Sequence, residues 1–199
     1  MLHQIHFGPK VVSEIDVTRH FIKYAPNVIE KDARPVSAIA PGVLGTTGIE
    51  TMEVIKGIVE NIKPKLIIVI DSLCSKSLER ISSTVQLSDT GIVPGAGVGN
   101  TRNEISINTL GIPVIAIGVP MVVDAATIAS DSIDLFIDKL QNEGESNKYL
   151  NKLKNEYKYN VIREALIPKD YNLIVTPKEI DDLIENMKDV VARGINFAM

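Results

Sequence analysis

The run Lys65-Leu66-Ile67-Ile68-Val69-Ile70 constrains this chain more than any other segment, because five apolar residues follow one another without a polar interruption. A strand built from such a run has no face it can leave in water and must be covered on both sides. The apolar stretch is far too short to cross a bilayer. Pro113 to Ile117 predicts a second buried strand. Around the two, apolar residues recur at helical spacing. Pro9 opens a helix that carries Val11, Val12, Ile15 and Ile22 on one side. Thr47 and Glu50 have the spacing of a capping box, which starts a helix turning Ile49, Met52, Ile55, Val59 and Ile62 inward until Pro64 stops it.

The second half continues the alternation. Ser77 to Gln86 begins helical and becomes extended, and the Gly- and Pro-rich stretch Ile92 to Asn100 is a loop. Asp124 is placed to cap a helix from Ala125 to Leu140. Gln141 to Lys148 is a polar connection and Lys152 to Leu166 a further helix. Val36 to Ala40 and Leu173 to Val175 are short strand candidates. Thr176-Pro177-Lys178-Glu179 has the form of a second capping box, before a helix with Ile180, Leu183, Ile184 and Met187 as its stripe. Buried strands separated by helices predict one α/β domain over residues 1–199, a layered sandwich with a mostly parallel sheet. Ligands bind such sheets beyond the carboxyl ends of the strands. That rule selects Asp71, the Gly118-Val119-Pro120 segment read as a turn, and the loop after Ala40.

Charge and cysteine content narrow the partners. The 21 basic and 25 acidic residues are interspersed and sum to a formal charge of -4, so neither a nucleic-acid surface nor an anionic membrane is expected. Met1 to His6 lacks the basic and apolar regions of a signal peptide. Cys74 is the only cysteine, which excludes an internal disulfide and favours a reducing, cytoplasmic setting.

Asp71 is the leading candidate for chemistry. A carboxylate directly after an apolar strand is partly desolvated, and desolvation raises a carboxyl pKa into the range useful for acid–base work. The structural alternative is a helix cap. Asp89-Thr90-Gly91 matches the tripeptide of pepsin-like proteases, but those are almost entirely β and use two such loops, so an Asx-type turn competes with it. Gly95-Ala96-Gly97-Val98-Gly99-Asn100 is a partial dinucleotide-loop match with Asn100 where a third glycine belongs. It leaves a nucleotide-binding module as a weak competing reading. Cys74 as a nucleophile needs a base, and His3, His6 and His20 all lie near the N-terminus. Glu50 and Asp124 read as caps before they read as acids. No metal-ligand spacing is present, and no cofactor is expected.

Five longer stretches carry a resemblance. They are Arg34 to Glu50 (RPVSAIAPGVLGTTGIE), Ile68 to Arg80 (IIVIDSLCSKSLER), Gln86 to Asn100 (QLSDTGIVPGAGVGN), Leu110 to Ala125 (LGIPVIAIGVPMVVDA) and Asn172 to Ile180 (NLIVTPKEI). Together they resemble, in order, the germination proteases of endospore-forming bacteria, from about Gly8 to Met199. The resemblance implies an atypical aspartic endopeptidase, made as a zymogen and assembled as a homotetramer in the forespore or spore core. Its implied substrates are small acid-soluble spore proteins. Its implied fold is similar to that of hydrogenase maturation proteases, a three-layer α/β sandwich. The family's catalytic carboxylate in the I-D-[AS]-L segment falls on Asp71. Its other catalytic Asp precedes a Leu-Gly-Pro segment, which matches Phe7-Gly8-Pro9 here, and Ile5 stands where that Asp belongs. The expectation is therefore a domain truncated at its N-terminus and short of one catalytic carboxylate. Asp89 and Glu50 are the candidate substitutes, and a catalytically silent binding or assembly chain is the competing reading. A metal-reading peptidase of the hydrogenase-maturation type would need a histidine near Asp71, and none follows His20.

Overall fold

A computed structural model describes residues 6–30, 32–96, 102–142, 156–166 and 173–199. Its centre is a four-stranded mixed sheet. Strand β1 (Ile67–Ser75) pairs with β3 (Val114–Asp124) in parallel, from Ile67 opposite Val114 to Ser75 opposite Val123. Strand β2 (Gln86–Ser88) lies antiparallel on the other edge of β3, and β4 (Ile174–Val175) pairs antiparallel with the last two residues of β3. The one long ladder is parallel, in keeping with the expected α/β architecture.

Both buried strands run further than their apolar cores suggest. β1 continues four residues past Asp71, so Asp71 lies within the strand rather than at its end. β3 continues through Gly118-Val119-Pro120, which form strand and not a turn. Pro120 is tolerated because the ladder breaks register just there, between Leu73 and Cys74. Its carbonyl still finds a donor, the amide of Ser82 at 2.7 Å.

Helices cover both faces. One face carries α1 (Phe7–Ser13) and the last helix. Phe7 and Val11 pack there with Ile117, Val119 and Met121 of β3 and with Ile184, Val191 and Ile195 of that helix. The opposite face packs Met52 and Ile55 of α4 (Thr51–Ile62) and Leu110 of α5 (Ile107–Leu110) with Ile67, Val69 and Val114. Between these come α2 (Arg19–Tyr24) and α3 (Leu44–Thr47), and after β3 come α6 (Ala125–Asn142), α7 (Glu156–Leu166) and α8 (Ile180–Ala198). No helix among the described residues is long and apolar enough to cross a membrane.

Several local expectations shift. The first helix ends at Ser13, so Ile15 lies beyond it and Ile22 belongs to α2. Val36 to Ala40 is not a strand; the Val36 carbonyl instead accepts the amides of Thr18 and Arg19, at 3.1 and 3.0 Å. Thr47 ends α3 instead of capping α4, because Gly48 adopts φ +69° and closes the short helix after it. Glu50 takes the N-cap position, with the Glu53 carboxylate accepting its amide at 3.0 Å. Ile49 is correspondingly exposed. The Thr176 box does not form: α8 is headed by Glu179, and the Ile180 amide donates to the Pro177 carbonyl. The cap at Asp124 holds, its Oδ1 accepting the Thr127 amide at 2.9 Å and its Oδ2 the Thr127 hydroxyl at 2.7 Å. Gly97 to Asn100, the 143–148 connection, residues 152–155 and Asn172 lie outside the described residues.

One glycine sets how closely α1 approaches the sheet. A Cβ placed on Gly8 would stand 2.9 Å from the carbonyl oxygen of Ile70, a backbone atom that cannot swing away. Gly8→Ala is therefore expected to push α1 off β1 at a cost of about 1–3 kcal/mol. Thermal unfolding would register this as a Tm lowered by roughly 2–4 °C per kcal/mol for a domain of this size.

Candidate active site

The site is built on a row of three residues across the sheet. Asp71 of β1 is in register with Gly118 of β3, and Gly118 with Gln86 of β2. Residues in register on adjacent strands stand about 4.8 Å apart, so Asp71 and Gln86 flank a gap of about 10 Å whose middle position has no side chain. Leu73, two residues along β1, leans into that space: a Cβ on Gly118 would come within 2.4 Å of its Cδ1. Above this row opens a cleft of about 350 Å³, lined by Asp71 through Lys76 and by Arg80, Gln86, Val93, Gly95 and Ala96. Both basic side chains come from the segment after β1, which turns at Ser77 into a single 3-10 turn, Leu78–Arg80.

Asp71 is the one carboxylate among the described residues lining this cleft. Burial pushes its carboxyl above the ordinary 3.8, and two opposing influences limit the rise: the Ser72 amide and the charge of Arg102. The Ser72 amide donates to Asp71 Oδ1 at 2.8 Å. This contact fixes the direction of the side chain. Ile67 donates its amide across the ladder to Pro113, so alternate residues Ile68, Ile70 and Ser72 turn theirs to the open edge of β1. Asp71 therefore leans toward that edge, where Gly8 sits against Ile70. A partly desolvated carboxyl of raised pKa beside an open cleft is suited to hold and release a proton.

The other candidates are dispersed. Asp89 is exposed in the bend after β2, beyond Ser88, which pairs with Ala116 and not with the Gly118 row. The turn there is held by Ser88 and Thr90, whose hydroxyls are 2.7 Å apart. Glu50 heads α4 outside the cleft lining, with Oε2 buried and without a hydrogen-bond partner among the described residues. Cys74 does line the cleft, but burial raises its thiol pKa and the Asp124 charge raises it further, against a hydrogen bond with the Asp124 backbone. Such a thiol stays protonated and is a poor nucleophile. No histidine lines the cleft among the described residues. Ile5 lies outside the described residues. Sequence reasoning missed Gln86, Lys76, Arg80 and Arg102. Only Gly118, a bare position inside an apolar run, hinted that something crosses β3 there.

Burial of Asp71 has a consequence for stability. A carboxyl with a raised folded-state pKa binds its proton more tightly in the fold than in the unfolded chain. Its ionisation therefore weakens the fold as pH rises from the ordinary carboxyl pKa through the raised one. Asp71→Asn keeps an oxygen acceptor for Ser72 and removes the charge. The variant is expected to melt above the parent at pH 7, with the difference shrinking as the pH falls to the ordinary 3.8. Equal melting temperatures at pH 7 would show that the carboxylate is not desolvated.

The comparisons with known proteins agree on one family. The family model described as germination protease matches residues 4–154 and 138–199. A germination protease of Clostridium perfringens strain SM101 is 54% identical over 196 residues, covering 96% of this chain and 60% of that protein. Germination proteases of Caldanaerobacter subterraneus subsp. tengcongensis and Bacillus mycoides are 53% and 46% identical over 96% of the chain, which covers 60% and 62% of their lengths. The chain thus spans about three fifths of the curated relatives it matches.

Proposed function

Because the chain belongs to the germination protease family, we propose that it carries the Asp71 half of an aspartic-type peptide-hydrolysing site. The observation that carries the reading is Asp71 itself: half-buried, raised in pKa by desolvation, and lining a cleft of about 350 Å³. The substrates on this reading are small acid-soluble spore proteins, cleaved in the forespore or spore core at germination. The active form is a homotetramer released from a zymogen.

Two carboxylates share one water in this mechanism. The ionised one takes a proton from the water as its oxygen adds to the scissile carbonyl, and the protonated one donates to the carbonyl oxygen. Two close carboxylates split their apparent pKa values, so a single proton serves both. Asp71, already raised by burial, suits the protonated role. The second carboxylate on this reading stands just ahead of Phe7-Gly8-Pro9, where this sequence has Ile5. Two features support that placement: Gly8 packs on Ile70, and Asp71 leans to the same edge. Asp89 and Glu50 are less suited as substitutes, since neither lines the cleft.

Ile5 favours a second reading, a chain that binds or assembles without cutting. One assay separates the two. The parent, Ile5→Asp, and Ile5→Asp combined with Asp71→Asn are incubated with a small acid-soluble spore protein, and products are followed by mass. Ile5→Asp is expected to cleave about 10² to 10⁴ faster than either of the others, the usual worth of one acid–base group. Cleavage by the parent that survives Asp71→Asn would sink the assignment of Asp71. Binding of the substrate without cleavage by any variant would favour the silent chain.

A further inference from the structure

The row Asp71, Gly118, Gln86 has a carboxylate at one end, a carboxamide at the other and no side chain between them. Residues in register share a face of the sheet, and the cleft opens above this one. Its middle is covered by Leu73, which leans over Gly118 and offers no hydrogen bond. The other polar side chains of the cleft are committed or lie off the row. Ser75 Oγ donates to the Ser77 carbonyl at 2.5 Å and accepts the Ser77 amide at 3.2 Å. Ser72 falls on the opposite face of β1 from Asp71. Lys76 and Arg80 enter from beyond the carboxyl end of β1, and as cations they favour charged groups over a neutral main chain.

Gln86 differs from all of these. Its backbone is fixed by pairing with β3, while its side chain is exposed at the cleft and has no hydrogen-bond partner among the described residues. A carboxamide carries a donor and an acceptor, as a peptide group does, so it can pair with main chain whatever side chains the peptide bears. The gap of about 10 Å between the two ends sets the spacing. An extended peptide advances about 3.3 Å per residue, so a chain crossing the row from Asp71 reaches Gln86 after about two to four residues. We propose that Gln86 is a substrate-binding residue whose carboxamide anchors the main chain of a bound peptide about two to four residues from the bond held at Asp71. This deepens the peptide-hydrolysing reading and rests on it for the identity of the ligand.

The test reads peptide binding by the 199-residue chain, with cleavage as a separate measurement. A synthetic peptide covering the stretch of a small acid-soluble spore protein that the chain binds is made as a series. Each member is N-methylated at one backbone amide, and Kd is measured by fluorescence anisotropy. Gln86→Ala is expected to bind the unmodified peptide about three- to tenfold more weakly, the usual worth of one neutral hydrogen bond. At one position of the series, N-methylation should weaken the parent about three- to tenfold more than it weakens Gln86→Ala, and elsewhere the two should respond alike. Gln86→Leu keeps the bulk of the side chain and should behave as Gln86→Ala does. Equal binding by parent and variants, or a uniform loss with no position singled out, would overturn the assignment. So would a chain that binds no such peptide, which would sink the peptide-hydrolysing reading with it. Cleavage by Ile5→Asp then tests that reading on its own. A cut about two to four residues from the singled-out amide upholds both, and a cut elsewhere overturns the placement of Gln86. A singled-out amide with no cut upholds the anchor and counts against hydrolysis alone.

Discussion

The parallel ladder between β1 and β3 is the contact on which everything else is arranged. It joins two segments almost fifty residues apart, so its closure is entropically costly and needs large apolar gains to offset it. Those gains come from using both faces. Ile117, Val119 and Met121 turn to α1 and α8, while Val69 and Val114 turn to α4 and α5. Once the register is fixed at Ile67 opposite Val114, Asp71 must fall opposite Gly118. The candidate site is thus a by-product of a register chosen by hydrophobic burial, since a slip of one residue would turn Asp71 to the other face.

The two ends of the chain meet over this ladder. α1 is clamped to α8 by the buried contacts of Phe7 and Val11 and by an exposed ion-pair group in which Lys10 meets Glu185, and Lys188 meets both Glu14 and Glu185. The lysines hold the Glu185 carboxyl down at about 2, but the carboxylates of the group stand about half exposed, and solvent screening keeps such pairs weak. Asn196 adds direction, accepting the Asp16 amide at 3.1 Å and donating to the Glu14 carbonyl at 2.9 Å. The apolar contacts set the strength of the clamp and the polar ones its angle. The angle matters because it decides where Gly8 touches Ile70.

What could be read from the sequence follows from which signals are local. The apolar runs at Ile67 and Val114 have no reading other than buried strands, and the stripe of α8 is equally plain. The lengths of β1 and β3 were not legible. Asp71, Ser72, Gly118 and Pro120 are all residues that interrupt strands, and only the partner strand shows why they are tolerated: Pro120 sits at a break in register and Leu73 fills the space over Gly118. The cap positions failed for a related reason. Thr47 and Thr176 have the right spacing, but Gly48 closed α3 immediately after Thr47, and the Pro177 carbonyl bonded Ile180 before a helix could start there. Asp71 was expected as a desolvated carboxylate at a strand end; burial does raise its pKa and it lines the cleft, although it lies inside the strand. The cleft residues across β3 could not be found at all, because Gln86 comes into line with Asp71 only through a pairing that spacing does not encode.

A desolvated carboxylate next to an open cleft is costly to the fold, and the cost is informative. Were the Asp71 carboxyl a structural one, such as a helix cap, it would gather several donors and its pKa would fall. It receives one amide, from its own neighbour Ser72, and feels the charge of Arg102, and desolvation still outweighs both, so its pKa stays above the ordinary value. Its Oδ1 lies beside the Ser72 amide, on the side of the open edge of β1. A second carboxylate arriving at that edge would raise the Asp71 pKa again by like-charge repulsion, and a shared proton would relieve it. The strain of desolvation at Asp71 is thus of the kind that a shared proton would ease.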